Sequence, residues 1–109
     1  VVYYSLAIGH HLGVIDCLEA ALSCPWQDYL AWIATLEEGS TARRKMEGVP
    51  KYGEIVIDSN HVTMLANAFD KAQARQTAEQ QAWSKTMLSM LHDIHQESAI
   101  YLMVRRLRD

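Results

Sequence analysis

Histidines, cysteines and one aspartate near the start of the chain are the residues best suited to bind a metal ion. His10 and His11 lie between two glycines, and Asp16 and Cys17 follow within a few residues. Imidazole nitrogens, thiolates and carboxylates are common ligands of zinc and other transition metals. A structural zinc site usually has four ligands in paired spacings such as C-x2-C or H-x3-H, and the chain has neither pair. The simpler interpretation has one histidine bonded to the backbone and the other in water.

A second histidine pair, His92 and His95, lies in a segment with helical periodicity. Residues three apart lie on the same side of a helix, so both rings could reach one ion. No third ligand is fixed nearby in the sequence. We therefore predict no metal site and no cofactor, with His92 partly exposed and His95 at the edge of the packed face.

The two cysteines, Cys17 and Cys24, are candidates for thiol chemistry. A catalytic thiolate would need a nearby base or a helix N-terminus that lowers its pKa. Cys24 precedes Pro25, a residue favoured in the first helical turn, but no histidine is paired with it. No phosphate-binding loop, dinucleotide fingerprint, nucleophile elbow or pair of catalytic carboxylates is present. The sequence therefore favours two reduced, inert thiols and predicts no catalytic residue.

Two basic clusters and one tryptophan are the candidates for binding a partner protein. The basic side chains could attract an acidic surface, although solvated helix and strand ends explain them slightly better. Helical spacing places Trp26 and Trp83 on core-facing stripes and turns Trp32 about 120° away from Trp26, so Trp32 is expected to be an exposed interface anchor. The candidate partner-binding residues are Trp32, Arg43, Arg44, Lys45, Arg105, Arg106 and Arg108.

The elements that must position these residues follow from hydrophobic periodicity. Strands are predicted at 1–8, 54–58 and 99–107, and the first has apolar residues on both faces, as a central strand would. Helices are predicted at about 14–22, 25–39, 41–45 and 61–97. The histidine loop before the first helix could instead continue the strand. This order predicts a mixed α/β fold of the α+β type, with about three strands in one sheet and four to five helices packed against it.

Capping residues refine these helix boundaries. Asp58, Ser59 and Asn60 are candidate N-caps for the helix that begins near residue 61. Thr77 and Gln80 form a capping-box pattern that should divide 61–97 into two helices. Gly48 and Pro50 are expected to end the short basic helix before the second strand.

The composition indicates one soluble, cytoplasmic domain. With 109 residues, of which 50% are hydrophobic, the chain can bury one core but not two. Its net charge of −3 lacks the positive field that nucleic-acid binding requires. No run approaches the roughly 18 to 20 apolar residues of a membrane span. Because the sequence starts inside an apolar run without Met, the single domain 1–109 is expected to lack a native N-terminal segment.

Three passages give the chain a family resemblance: VVYYSLAIGHHLGVIDCLEAAL, GVPKYGEIVIDSNHVTMLANAFDKA and SMLHDIHQESAIYLMVRRLRD. Together they closely resemble the HycH family of formate hydrogenlyase (hydrogenase 3) maturation proteins, and the similarity covers the whole chain. The resemblance implies a cytoplasmic maturation factor that acts on the precursor of the large, nickel-bearing hydrogenase subunit. It also implies other formate hydrogenlyase assembly components as partners. No functional residue is carried over from the family.

Two functions are consistent with these observations. The first is a non-catalytic assembly chaperone that holds the hydrogenase precursor in an open state until its cofactor is in place. The alternative is a metal-handling or thiol-dependent maturation enzyme that uses His10, His11, Asp16 or a cysteine.

Overall fold

A four-stranded antiparallel sheet forms one layer of the molecule, in a computed structural model that describes residues 1–7 and 21–106. Its strands are β1 (Val2–Ala7), β2 (Leu22–Ser23), β3 (Glu54–Ile57) and β4 (Ile100–Arg105). The spatial order is β2-β1-β4-β3, so the last strand lies between β1 and β3. The predicted α+β fold is confirmed, although the sheet has four strands where the sequence predicts three.

Helices form the second layer. Within the described residues they are α1 (Trp26–Ile33), α2 (Thr41–Met46), α3 (Gly48–Tyr52), α4 (Val62–Ala72) and α5 (Ala78–Gln96), with a 3-10 turn at Gln73–Arg75. The predicted capping box is confirmed: the Gln80 N–H donates to Thr77 Oγ1 at 3.1 Å, and the Thr77 N–H donates to Gln80 Oε1 at 3.0 Å. In the described part of the chain, no helix is both long and apolar enough to cross a membrane.

The main core lies between the helices and one face of the sheet. Tyr3, Ile57 and Leu102 contribute to it from three strands, and Leu65 and Leu91 contribute from α4 and α5. The opposite face of the sheet carries a second buried cluster, formed by Val2, Tyr4 and Met103. The first residues of β1, Val2 to Tyr4, are therefore apolar and buried on both faces, as the sequence predicts.

Trp32 is at the centre of the main core, and its predicted exposure is wrong. The ring is fully buried and packs against those of Phe69 and Trp83, with centroid distances of 5.2 and 5.7 Å. The buried face of α1 follows Tyr29, Trp32 and Ile33. The predicted stripe through Trp26 also packs against this core, so the core-facing surface of α1 is wider than that stripe and includes Trp32.

A closed set of hydrogen bonds satisfies the polar groups around this ring. Trp32 Nε1 donates to Ser84 Oγ at 2.9 Å, and the Ser84 hydroxyl donates to Gln76 Oε1 at 2.6 Å. Gln76 Nε2 donates to Thr35 Oγ1 at 3.0 Å, and that hydroxyl donates to the Trp32 carbonyl at 2.6 Å. This network, which we call the Trp32 network, starts and ends on one residue and joins α1 to α5.

Two elements differ from the sequence prediction. Leu22 lies in β2, opposite Tyr3, and not in a helix; residues 14–20 of that predicted helix lie outside the described residues. Gly48 and Pro50 lie within α3, where they were expected to end α2. Proline fits because a first-turn N–H needs no helical partner. Glycine fits because a Cβ there would lie 2.5 Å from Ile55 Cγ2.

The predicted N-caps of α4 are also wrong. His61 precedes the helix, and no side chain caps it. Asp58 instead stabilises the preceding turn, where its Oδ1 accepts a hydrogen bond from the Asn60 N–H at 2.9 Å.

Candidate functional site

A cleft of about 1160 Å³ opens where α1 begins, α3 ends and β4 leaves the sheet. It is lined by Val1, Val2, Ser23, Cys24, Pro25, Trp26, Gln27, Val49, Pro50, Tyr52, Gly53 and Arg106. We call it the Trp26 cleft.

Local backbone chemistry explains how two aromatic residues reach this cleft. Pro25 has an extended conformation, φ −60° and ψ 151°, and places Trp26 at the first position of α1. Gly53 has φ +88° and ends α3, so that Tyr52 is the last helical residue before the chain turns into β3. The Tyr52 side chain is 74% exposed. A large apolar ring in water is a feature that protein interfaces commonly use.

Trp26 lies between a cation and another aromatic ring. The Arg106 guanidinium carbon is 3.7 Å from the Trp26 ring centroid, a cation–π contact. The Tyr29 ring stacks near Trp26 with a centroid distance of 6.2 Å, and its hydroxyl donates to the Met46 carbonyl at 2.7 Å. The Trp26 ring is half-buried: it lines the cleft and also packs against the main core, as its helical spacing predicts.

The two adjacent arginines of the C-terminal basic cluster have different partners. Arg105 Nε donates to Glu54 Oε1 at 2.7 Å, so its charge is neutralised across β3 and β4. Arg106 is exposed and makes no ion pair with any described residue. Arg108 lies outside the described residues.

The other basic cluster, on α2, lies apart from the Trp26 cleft. Arg43 Nε is 3.6 Å from Glu47 Oε2, and Arg43 Nη1 also donates to the Leu36 carbonyl at 3.4 Å. Arg44 is exposed and Lys45 is half-buried. Arg43 lines a second cavity, of about 890 Å³, between α2 and α4, where Glu37 and Glu38 also lie.

Cys24 lines the Trp26 cleft but is poorly suited to nucleophilic chemistry. The residue is only 3% exposed, and the thiol is free. Burial raises its pKa to about 11, so the thiol is protonated at neutral pH. The helix N-terminus after Pro25 does not reverse this effect. Cys17 lies outside the described residues.

The candidate metal ligands do not converge in the part of the chain that the structure describes. No group of three His, Cys, Asp or Glu residues there could hold an ion. His92 and His95 are both exposed on α5. His10, His11 and Asp16 lie outside the described residues, so the predictions made for them remain predictions.

His61 has a structural environment. Its Nδ1 accepts a hydrogen bond from the Asp58 N–H at 3.1 Å. Burial and the nearby Lys45 charge lower the pKa of the imidazole, and the Asp58 carboxylate only partly opposes them. The neutral ring is favoured, and it stabilises the turn before α4.

Sequence reasoning missed Trp26 and Tyr52 as cleft residues. Periodicity placed Trp26 against the core, which is correct but does not show that the ring also lines a cleft, and Tyr52 carried no pattern at all. Two residues that restrict or permit backbone conformations could have indicated these positions. Pro25 precedes the start of a helix and so marks Trp26 as a first-turn residue, and Gly53 separates Tyr52 from the strand that follows.

Comparison with known proteins identifies close relatives. A family model described as "Formate hydrogenlyase maturation protein HycH" matches residues 1–106. Proteins with this same name from Escherichia coli (strain K12) and Escherichia coli O157:H7 are each 85% identical over 109 residues, covering 100% of this chain and 80% of the relative. "Hydrogenase-4 component J" of Escherichia coli (strain K12) is 51% identical over 107 residues, covering 98% of this chain and 77% of the relative. No solved structure matches the chain significantly.

Proposed function

The chain belongs to the HycH family of formate hydrogenlyase maturation proteins, and from this premise we propose that it is a non-catalytic assembly chaperone. It binds the precursor of the large, nickel-bearing hydrogenase subunit in the cytoplasm, together with other formate hydrogenlyase assembly components. Binding holds the precursor in a state that can accept its cofactor, and the chaperone is released once the cofactor is in place.

The observation that carries this proposal is the Trp26 cleft. It combines a 74% exposed tyrosine, Tyr52, with Arg106, an exposed arginine that has no carboxylate partner in the described residues. Aromatic residues and arginine are enriched where proteins bind one another. The cleft thus has the composition of a binding surface, and its one thiol, Cys24, has a raised pKa that opposes nucleophilic chemistry.

The proposal is tested by co-purification from cells that express the chain with an affinity-tagged large-subunit precursor. We expect the chain to co-purify with the precursor, and less of it to co-purify with the same tagged subunit after processing. The tagged mature subunit is the matched control, because it differs only in its maturation state. Failure to capture any hydrogenase precursor would count against the chaperone function.

A second experiment separates the chaperone from the maturation enzyme. His10, His11, Cys17 and Cys24 are each replaced by Ala, and hydrogenase assembly and the metal content of the purified chain are measured. A chaperone that works by binding predicts unchanged assembly in all four variants. Loss of assembly in a variant that still folds and still binds the precursor would favour the enzyme.

A further inference from the structure

The charge of the Trp26 cleft is opposite in sign to that of the whole chain. The chain has 13 acidic and 10 basic residues, yet no Asp or Glu is among the described residues that line the cleft. Arg106 is the one charged side chain in that lining. The cleft is therefore a positive, partly apolar surface on an acidic protein, and it favours an anionic occupant.

The geometry of Arg106 leaves its hydrogen-bond donors available. The guanidinium carbon lies 3.7 Å from the Trp26 ring centroid, and no acceptor among the described residues takes a hydrogen bond from the Arg106 side chain. The Arg106 backbone N–H also donates to the Gly53 carbonyl at 3.0 Å, which fixes the residue against the end of α3. An arginine held in this way is arranged to bind a carboxylate with two parallel hydrogen bonds.

Backbone groups around the cleft are largely satisfied within the chain. The Cys24 N–H donates to the Val1 carbonyl at 2.9 Å, and the Gly53 N–H donates to the Val49 carbonyl at 2.7 Å. Pro25 and Pro50 have no N–H to offer. These lining residues therefore offer a ligand few main-chain donors. We expect recognition in the cleft to use side chains, with Tyr52 as the apolar contact and Arg106 as the ionic one.

We propose that the Trp26 cleft binds an extended, acidic segment of the hydrogenase large-subunit precursor, with a carboxylate on Arg106 and an adjacent apolar side chain against Tyr52. This inference rests on the proposed function for the identity of the partner. The acidic and apolar residues expected in the segment follow from the lining of the cleft alone.

The test is a peptide array that displays overlapping short segments of the large-subunit precursor and of every other formate hydrogenlyase subunit. The fluorescently labelled chain is applied as wild type, as Arg106→Glu and as Tyr52→Ser. Bound segments should contain Asp or Glu beside an apolar residue. Each variant should weaken their binding by roughly tenfold, the effect expected for loss of one charged or aromatic anchor.

Two matched controls distinguish the cleft from general surface effects. Lys85→Glu makes the same charge change at an exposed basic residue on α5, and Val56→Ser removes an apolar side chain that is 40% exposed on β3. Both should bind as wild type within about twofold, which is less than 0.5 kcal/mol. Circular dichroism should show that all four variants remain folded.

Several results would overturn the inference. The first is equal binding by Arg106→Glu and wild type, and the second is an equal loss of binding in Lys85→Glu and Arg106→Glu. The others are binding of segments without carboxylates and occupation of the cleft by a second copy of the chain. An array on which no segment binds would overturn it as well. Failure of the proposed function gives a different result from failure of this inference. If only the proposed function is wrong, acidic segments of other subunits bind through Arg106, while the precursor is not captured in co-purification.

Discussion

The two tryptophans of helix α1 lie in opposite environments. Trp32 is fully buried, packs against other rings and donates a hydrogen bond to Ser84. Trp26, at the first position of the same helix, is half-buried beneath an exposed arginine in the wall of a cleft. One end of the helix thus contributes mainly to folding, and the other end presents side chains to solvent. Substitutions at the two ends should therefore separate stability from binding.

The largest expected effect is that of Trp32→Ala. Removal of a fully buried indole leaves a cavity and should lower the free energy of unfolding by about 3–5 kcal/mol. Trp26→Ala removes a half-buried ring and should cost only about 1–2 kcal/mol, since less apolar area is exposed. Urea denaturation followed by circular dichroism measures both values. Equal losses for the two variants would contradict the division of α1 into a folding end and a binding end.

Ser84→Ala tests the Trp32 network without making a large cavity. The change leaves Trp32 Nε1 and Gln76 Oε1 without their bonds inside the core, so we expect a loss of about 2 kcal/mol in unfolding free energy. Ser89→Ala, at an exposed position of the same helix, is the matched control and should change stability by less than about 0.5 kcal/mol. Equal changes in unfolding free energy for Ser84→Ala and Ser89→Ala would show that the Trp32 network does not stabilise the fold.

Cys24 predicts a pH dependence at the cleft end of the helix. Its pKa is raised to about 11 in the folded chain, so the unfolded chain loses the thiol proton first and binds fewer protons above roughly pH 9. Stability should therefore fall as the pH rises, by about 1 kcal/mol at pH 10. Tyr3 and Tyr29, whose pKa values burial also raises, add to this loss at higher pH. Cys24→Ala should make the decline shallower, as measured by urea denaturation from pH 8 to 10.

The smallest expected effect on stability belongs to Tyr52→Ser and Arg106→Gln. Tyr52 is mostly in water, and the Arg106 contact with Trp26 is at the surface, so each change should cost no more than about 0.5 kcal/mol. Thermal melting of each variant measures this change in stability. A loss of unfolding free energy comparable to that of Ser84→Ala would mean that Tyr52 and Arg106 support the fold. The distinction between a folding end and a binding end of α1 would then be wrong.

Local signals in the sequence predicted much of the fold. The Thr77–Gln80 capping box, the central position of β1 and the strand at β3 follow from short-range patterns, and the structure has all three. Strand β2 could not be predicted, because its two residues form a strand only through pairing with β1. Helix α3 was missed because glycine and proline disfavour helices locally, whereas Gly48 is required in the folded chain by the close approach of Ile55, whose Cγ2 would lie 2.5 Å from a Cβ at that position.

The candidate site was less predictable than the fold. The arginine clusters were visible in the sequence, but Arg105 and Arg106 differ only through a tertiary contact with Glu54. The burial of Trp32 was missed because Trp32 lies beside the predicted stripe through Trp26, and both residues contact the core. Trp32 is buried against Trp83 and Ser84 of α5, and no local pattern records the position of that helix.

The position of β4 has a consequence for synthesis on the ribosome. Val2 pairs with Arg105, and Ile55 pairs with Val104, so β4, which is translated after β1 and β3, joins the two halves of the sheet. Until β4 leaves the exit tunnel, β1 and β3 have no shared neighbour, and pairing between strands so distant in sequence is slow. Arg106 emerges immediately after β4. A nascent chain that ends before β4 therefore lacks both the strand that joins the sheet and the arginine of the cleft.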